Sequence, residues 1–115
     1  MTAVLEFQID ARVVDDGRAL MAISGSVDLT TAPELRNRLA ELIDDGNTCI
    51  IVDLTGTDFL DSTGLGALVS AHKRLRMKSG EIRIVCADGQ VRKVFEITSL
   101  DRVFAMHDSV DAALS

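Results

Sequence analysis

The amino-acid sequence predicts an α/β domain with a mixed sheet of four to five strands and helices covering one face. Three observations predict it. Apolar and polar residues alternate strictly near the start, apolar runs of strand length recur along the chain, and the stretches between those runs carry apolar residues at helical spacing. A chain of 115 residues is the size of one hydrophobic core, so residues 1–115 are expected to form a single domain.

Leu5, Phe7, Ile9, Ala11 and Val13 alternate with Glu6, Gln8, Asp10 and Arg12, the period of a half-buried strand. Asp15-Asp16-Gly17 turns the chain into a second strand, Ala19–Ile23, at hairpin spacing. After a loop over Ser24–Thr30, Thr31-Ala32-Pro33-Glu34 has the pattern of a capping box: Thr31 as N-cap, Glu34 reaching back and Pro33 in the first turn. Leu35, Leu39, Leu42 and Ile43 share one face of the helix that follows. Asp44-Asp45-Gly46-Asn47 stops it. Thr48–Leu54 is apolar on nearly every residue, which suits a central strand in a parallel arrangement.

Leu65, Leu68, Val69, His72 and Leu75 fall at helical intervals, and Lys73, Arg74, Arg76 and Lys78 crowd the end, where cations suit the negative pole of the dipole. Ser79-Gly80 ends this helix and Ile82–Cys86 is the next strand. A short helix carrying Val91, Val94 and Phe95 follows, then a short strand over Val103–Met106. A terminal helix over Asp108–Leu114 turns Val110, Ala113 and Leu114 inward. Two consecutive βαβ units with right-handed crossovers in one direction put both crossover helices on the same face.

Composition excludes several function classes. The longest apolar runs, such as Cys49–Val52, are far shorter than the roughly 20 residues of a membrane span. The start carries neither a basic segment nor a signal-like stretch, so the cytoplasm is the expected compartment and no membrane partner is expected. A net charge of −6, with no Trp or Tyr, disfavours direct binding to nucleic acid. Cys49 and Cys86 lie in strand-like runs as small buried hydrophobes. With only His72 and His107 beside them they make no zinc pattern, so neither metal nor cofactor is expected.

In such a sheet, ligands and partners meet loops at the carboxyl ends of the strands. Two loops leave that end, Gly25–Thr30 and Thr57–Thr63. Parallel pairing puts them side by side, gathering Asp28, Thr30, Asp61, Ser62 and Thr63 into one acidic, hydroxyl-rich patch. The stretch Phe59-Leu60-Asp61-Ser62-Thr63-Gly64-Leu65-Gly66 places Ser62 where strand gives way to helix. The free N–H groups and positive dipole end there suit a phosphate, bound or attached. From spacing alone Ser62 also reads as an N-cap, and the two roles are compatible.

Catalytic templates fail at this segment. Asp61-Ser62-Thr63-Gly64 has one residue too many for the Asp-Thr-Gly signature of aspartic proteases, and the α/β alternation contradicts their all-β fold. Ser62 lacks the G-x-S-x-G elbow of a serine hydrolase. Gly64-Leu65-Gly66 lacks a third glycine and any phosphate-binding lysine.

The run from Leu60 to Gly66 after a strand resembles the signature of STAS-domain anti-sigma factor antagonists. So do Gly25-Ser26-Val27-Asp28 with Thr31–Leu35, Val52-Asp53-Leu54, Gly80, and Val94-Phe95 with Ile97–Leu100, which together cover essentially the whole chain. The resemblance implies a single STAS domain that is not an enzyme. Its unphosphorylated form captures an anti-sigma factor that is also a serine kinase and so frees a sigma factor. Phosphorylation of Ser62 ends the capture and a PP2C-type phosphatase restores it, with Thr63 a second, minor acceptor. The partner surface it implies comprises Asp28, Leu29, Thr30, Asp61, Ser62, Thr63, Gly64 and Leu65. Ser26 departs from the acidic residue that the family commonly carries there. The same resemblance also fits an accessory or scaffold subunit of a signalling or transport assembly, without a phosphoserine cycle.

Overall fold

The computed structural model describes residues 6–115, so Leu5 of the predicted first strand lies outside the described residues. Strands β1 (Gln8–Asp15), β2 (Arg18–Val27), β3 (Cys49–Leu60), β4 (Glu81–Val85) and β5 (Ala105–His107) form one sheet in sequence order. β1 pairs antiparallel with β2, and every later pair is parallel. Helices α1 (Ala32–Asp44), α2 (Ser62–Arg76) and α3 (Gln90–Ile97) connect the parallel strands; α3 reaches β5 through a 3₁₀ turn at Leu100–Arg102. α4 (Val110–Leu114) closes the chain.

The order of elements agrees with the apolar periodicity, and the expected helical cover holds for α1, α2 and α3. Met21, Ile23, Ile50, Val52, Ile82 and Ile84 alternate onto one sheet face and pack against Leu35, Leu39, Ile43, Leu68, Leu75 and Phe95 of those helices. Each such fully buried side chain contributes about 1.5–3 kcal/mol over leaving it exposed. α4 adds a small layer on the opposite face. There Ala113, with Val110 and Leu114, meets Leu20, Cys49, Ile51 and Val85. Arg18 and Arg83 donate to the carbonyls of Leu114 and Ala113 and hold its end. β3 is apolar on both faces because both are covered at this point.

Both cysteines are buried and unpaired, as their strand positions predict. Burial pushes both thiols up from their ordinary pKa. The His72 ring packs edge-on to Phe104. Its Nδ1 is buried without a partner among the described residues. Burial lowers the imidazole pKa, and the nearby Arg76 lowers it further.

Two strands run further than predicted. β2 continues through Ser24–Val27 and β3 through Thr55–Leu60, pairing Ser24 with Gly56, Gly25 with Thr57, Ser26 with Phe59 and Val27 with Leu60. Polar residues hide this extension, because the open sheet face accepts them and two register shifts break their alternation. Gly25 sits at one shift with φ +86°, and a Cβ there would stand 2.9 Å from the backbone of Phe7. Thr57 is buried and donates its hydroxyl to the Ile23 carbonyl. The predicted loop residues Thr57–Leu60 are therefore strand, and they carry the chain straight to α2.

Candidate functional site

The backbone N–H of Asp61 donates to the Val27 carbonyl at 3.2 Å, which ties the ends of β2 and β3 together. Both predicted loops therefore open at one place, and each begins a helix with an aspartate. Asp61 Oδ1 accepts from Thr63 N–H at 2.9 Å, from the Thr63 hydroxyl and from Gly64 N–H. Asp28 Oδ1 accepts from Thr30 N–H at 2.9 Å, from the Thr30 hydroxyl and from Thr31 N–H. The two turns repeat one hydrogen-bond scheme around the sequence Asp-x-Thr.

This scheme corrects the predicted capping box. Thr31 occupies the N-cap position of α1 but caps nothing with its side chain. Its hydroxyl is turned away, donating to the Ser26 carbonyl and accepting from Asp28 N–H. Asp28 supplies what the helix needs, accepting from Thr31 and Ala32 N–H at its carbonyl and from Thr31 N–H at its carboxylate. Ser62 is likewise relieved of capping. Asp61 is the N-cap of α2, and Ser62 is its first residue. The Ser62 side chain is exposed and has no hydrogen-bond partner among the described residues.

The remaining predicted residues divide by burial. Leu29 and Thr30 are exposed, with Leu29 at 73 % of its full accessible area. Thr63 is half-buried, and its hydroxyl is committed to Asp61. Gly64 and Leu65 are buried, which corrects their expected place on the partner surface. A Cβ on Gly64 would stand 2.5 Å from Leu60 Cδ1 and 2.6 Å from Val27 Cγ1, so the glycine lets α2 start flush against the strand ends. Leu65 belongs to the main core.

Hydrogen bonds set the charge of the patch. The Thr63 hydroxyl lowers the carboxyl pKa of Asp61, helped by the N–H groups of Gly64 and Thr63, while the nearby Asp28 opposes the shift. The Thr30 hydroxyl and N–H lower that of Asp28. Both groups are anionic at neutral pH. Ser26, which departs from the acidic family residue, donates to Asp58 at 3.0 Å, so a carboxylate stands there from the adjacent strand.

Two surface residues escaped the sequence reading. Phe59 is 50 % exposed. It lines a groove with Asp58, Gln90, Val91 and Val94, on the side of the site toward α3. Leu60 points inward, so strand alternation turns Phe59 outward, and that was its available signal. Arg36 lines a second groove with Leu29, Pro33 and Thr63. The site is thus an acidic rim around a free hydroxyl, with Leu29 and Phe59 as exposed apolar side chains. Among the described residues no group of His, Cys, Asp or Glu side chains is arranged to hold a metal. No helix of the described residues is long and apolar enough to cross a membrane.

Known proteins share the domain family and the fold of this chain. A STAS domain family model matches residues 8–113. The anti-sigma-B factor antagonist of Staphylococcus aureus is 32 % identical over 89 residues, covering 77 % of this chain and 82 % of its own. The crystal structure of an anti-sigma factor antagonist from Mycobacterium paratuberculosis superposes with a TM-score of 0.81 at 26 % identity, over 96 % of this chain and 91 % of the other. The Bacillus cell fate determinant SpoIIAA in its phosphorylated form shares the fold, with a TM-score of 0.72 at 22 % identity over 95 % and 96 % of the two chains.

Proposed function

The chain belongs to the STAS-domain family of anti-sigma factor antagonists, and from that premise we propose that it is a partner-switching regulator acting in the cytoplasm as one domain. Unphosphorylated, it binds an anti-sigma factor with serine kinase activity and thereby releases a sigma factor. Phosphorylation of Ser62 ends the binding, and a PP2C-type phosphatase resets the protein. It has no catalytic activity of its own, and it contacts neither nucleic acid nor membrane.

One observation carries this reading: Ser62 is an exposed hydroxyl with no structural duty, beside an aspartate that does the capping. In the transfer, Ser62 Oγ attacks the γ-phosphorus of the kinase's ATP. The Oγ–P bond forms, the bond to the bridging oxygen of ADP breaks, and the hydroxyl proton passes to a base on the kinase. Thr63 is a poorer acceptor, since its Oγ–H already donates to Asp61.

The product carries about 1.5–2 added negative charges next to Asp61 and Asp28. In free protein water solvates that charge. Within an interface seated on Leu29 and Phe59 it would be desolvated and repelled, at a cost of several kcal/mol. A loss of about 4 kcal/mol is a roughly thousandfold loss of affinity.

The test is incubation with candidate anti-sigma kinases and ATP, followed by phosphosite mapping. The expected product carries one phosphate, on Ser62, and Ser62→Ala carries none. Modification of other residues only, or of none with every kinase of the host, would overturn the switch and favour the accessory role.

A further inference from the structure

We propose that Arg36 is the intramolecular partner of phosphorylated Ser62: on phosphorylation its guanidinium leaves Ser70 and pairs with the phosphate across Gly66. The proposal rests on the phosphoserine reading given above and adds a conformational consequence to it.

Arg36 stands on α1 and leans over α2. One terminal nitrogen donates to Ser70 Oγ at 3.2 Å, and the other lies 3.4 Å from where a Cβ on Gly66 would stand. Ser62, Gly66 and Ser70 follow one another at four-residue intervals in α2, so each lies about one turn from the next along the helix surface. The guanidinium therefore sits over the turn adjoining Ser62. Arg36 and Thr63, the neighbour of Ser62, also line the same groove.

Charge makes this placement informative. Arg18, Arg38, Arg74, Arg83 and Arg92 each pair with a carboxylate. Arg36, like Arg12, Arg76 and Arg102, has no carboxylate partner among the described residues, and of these four it is the one whose guanidinium is held over α2, by the Ser70 hydroxyl. A cation held by one neutral hydroxyl thus waits one turn from where a dianion would appear. Charge-assisted bonds are roughly twice as strong as neutral ones, and guanidinium engages phosphate through two parallel N–H bonds. Exchanging Ser70 for phosphoserine is therefore favourable. Ser62 stands two turns from Ser70, but the guanidinium already overlies Gly66, so it has to travel only about one turn, some 5–6 Å, within the sweep of an arginine side chain. Gly66 leaves the path between the two positions open. Once moved, Arg36 lies closer to Leu29 and Thr63, so the phosphorylated surface differs in shape as well as in charge.

The test uses the full chain with phosphoserine installed at position 62 during translation, and titrates the phosphate by 31P NMR. The second phosphate pKa, ordinarily about 6, is expected to lie at least about half a unit lower in the wild-type protein than in Arg36→Gln. Gly66→Leu keeps the arginine charge but fills its path, and is expected to raise the value toward that of Arg36→Gln. Ser70→Ala frees Arg36 and is expected to leave the value at or below wild type. Coincident titrations of wild type and Arg36→Gln, or a Gly66→Leu curve matching wild type, would overturn the proposal. Because no kinase is needed, a failed shift leaves the Ser62 switch standing. Equally, a failure of every kinase to modify Ser62 leaves the titration result intact.

Discussion

The two helix-starting turns at the carboxyl end of the sheet are built alike and used differently. Asp28 and Asp61 each accept the same three bonds, from the N–H and hydroxyl of the threonine two residues on and from the next N–H. The residue between aspartate and threonine takes no part, and in both turns it faces solvent. In the first turn it is Leu29, an exposed apolar side chain. In the second it is Ser62, an exposed hydroxyl. Handing the helix start to aspartate leaves the following position free, for recognition in one turn and for phosphorylation in the other under the function proposed above.

The turns also differ in their fourth residue, and the largest expected effect breaks the comparison there. Thr31 has room for a side chain and uses it to bond Ser26, whereas Gly64 has none. Gly64→Ala is expected to destabilise the domain by about 1–3 kcal/mol through overpacking against Leu60 and Val27. Thr31→Ala loses two part-buried hydrogen bonds, to the Ser26 carbonyl and from Asp28 N–H, which water can partly replace, and is expected to cost less, about 1 kcal/mol. Denaturant unfolding of the two variants measures both.

Next in size are the caps. Asp28→Ala and Asp61→Ala are each expected to lower the thermal midpoint by several degrees, Asp61→Ala by losing the N-cap of α2 and Asp28→Ala by losing the carboxylate that holds the turn entering α1. Ser62→Ala and Leu29→Ala are expected to leave it within about 2 °C, as exposed substitutions do. A fall for Ser62→Ala as large as that for Asp61→Ala would show that the serine has a structural duty after all.

The acid limb of the stability curve sharpens the same point. Because the folded pKa of Asp28 and Asp61 is depressed, their contribution is present above the unfolded value of about 3.9 and is lost as pH falls through the lower folded values. His72 contributes a separate, earlier step. Its folded pKa is also depressed, so the unfolded chain takes up the proton first, and stability declines as pH falls below about 6.5. Unfolding midpoints measured from pH 8 to pH 3 are expected to show both declines, with His72→Gln removing only the first.

Much of this was legible in the sequence, for physical reasons that also mark where legibility ends. Alternation in β1, the apolar run of β3 and the helical spacing of α1 and α2 are direct records of burial, and they yielded the element order. The ends of β2 and β3 were not legible, because Ser24, Ser26, Thr55 and Asp58 are polar and the pairing shifts register between them. The α1 cap was misassigned because Thr31 and Asp28 are both good caps. The choice between them is made by Ser26, whose carbonyl claims the threonine hydroxyl. The sequence predicts helical cover on one face only; the short α4 adds a second cover, which five residues carry too little periodicity to announce. Motif and position predict that Asp28, Asp61 and Ser62 stand together, and the structure brings them together at the carboxyl end of the sheet. Arg36 was missed because reach across two helices leaves no periodic trace; the alternation with Leu60 does record the outward turn of Phe59, but an apolar residue at a strand end reads first as core.

Ser62 is proposed to switch a partner without supporting the fold. The affinity of the unmodified and Ser62-phosphorylated proteins for the cognate anti-sigma kinase, measured side by side with their thermal midpoints, separates those two roles. The expected result is a loss of affinity of about a thousandfold with little change in midpoint. Equal affinities, or a loss of binding accompanied by a collapse of the fold, would contradict it.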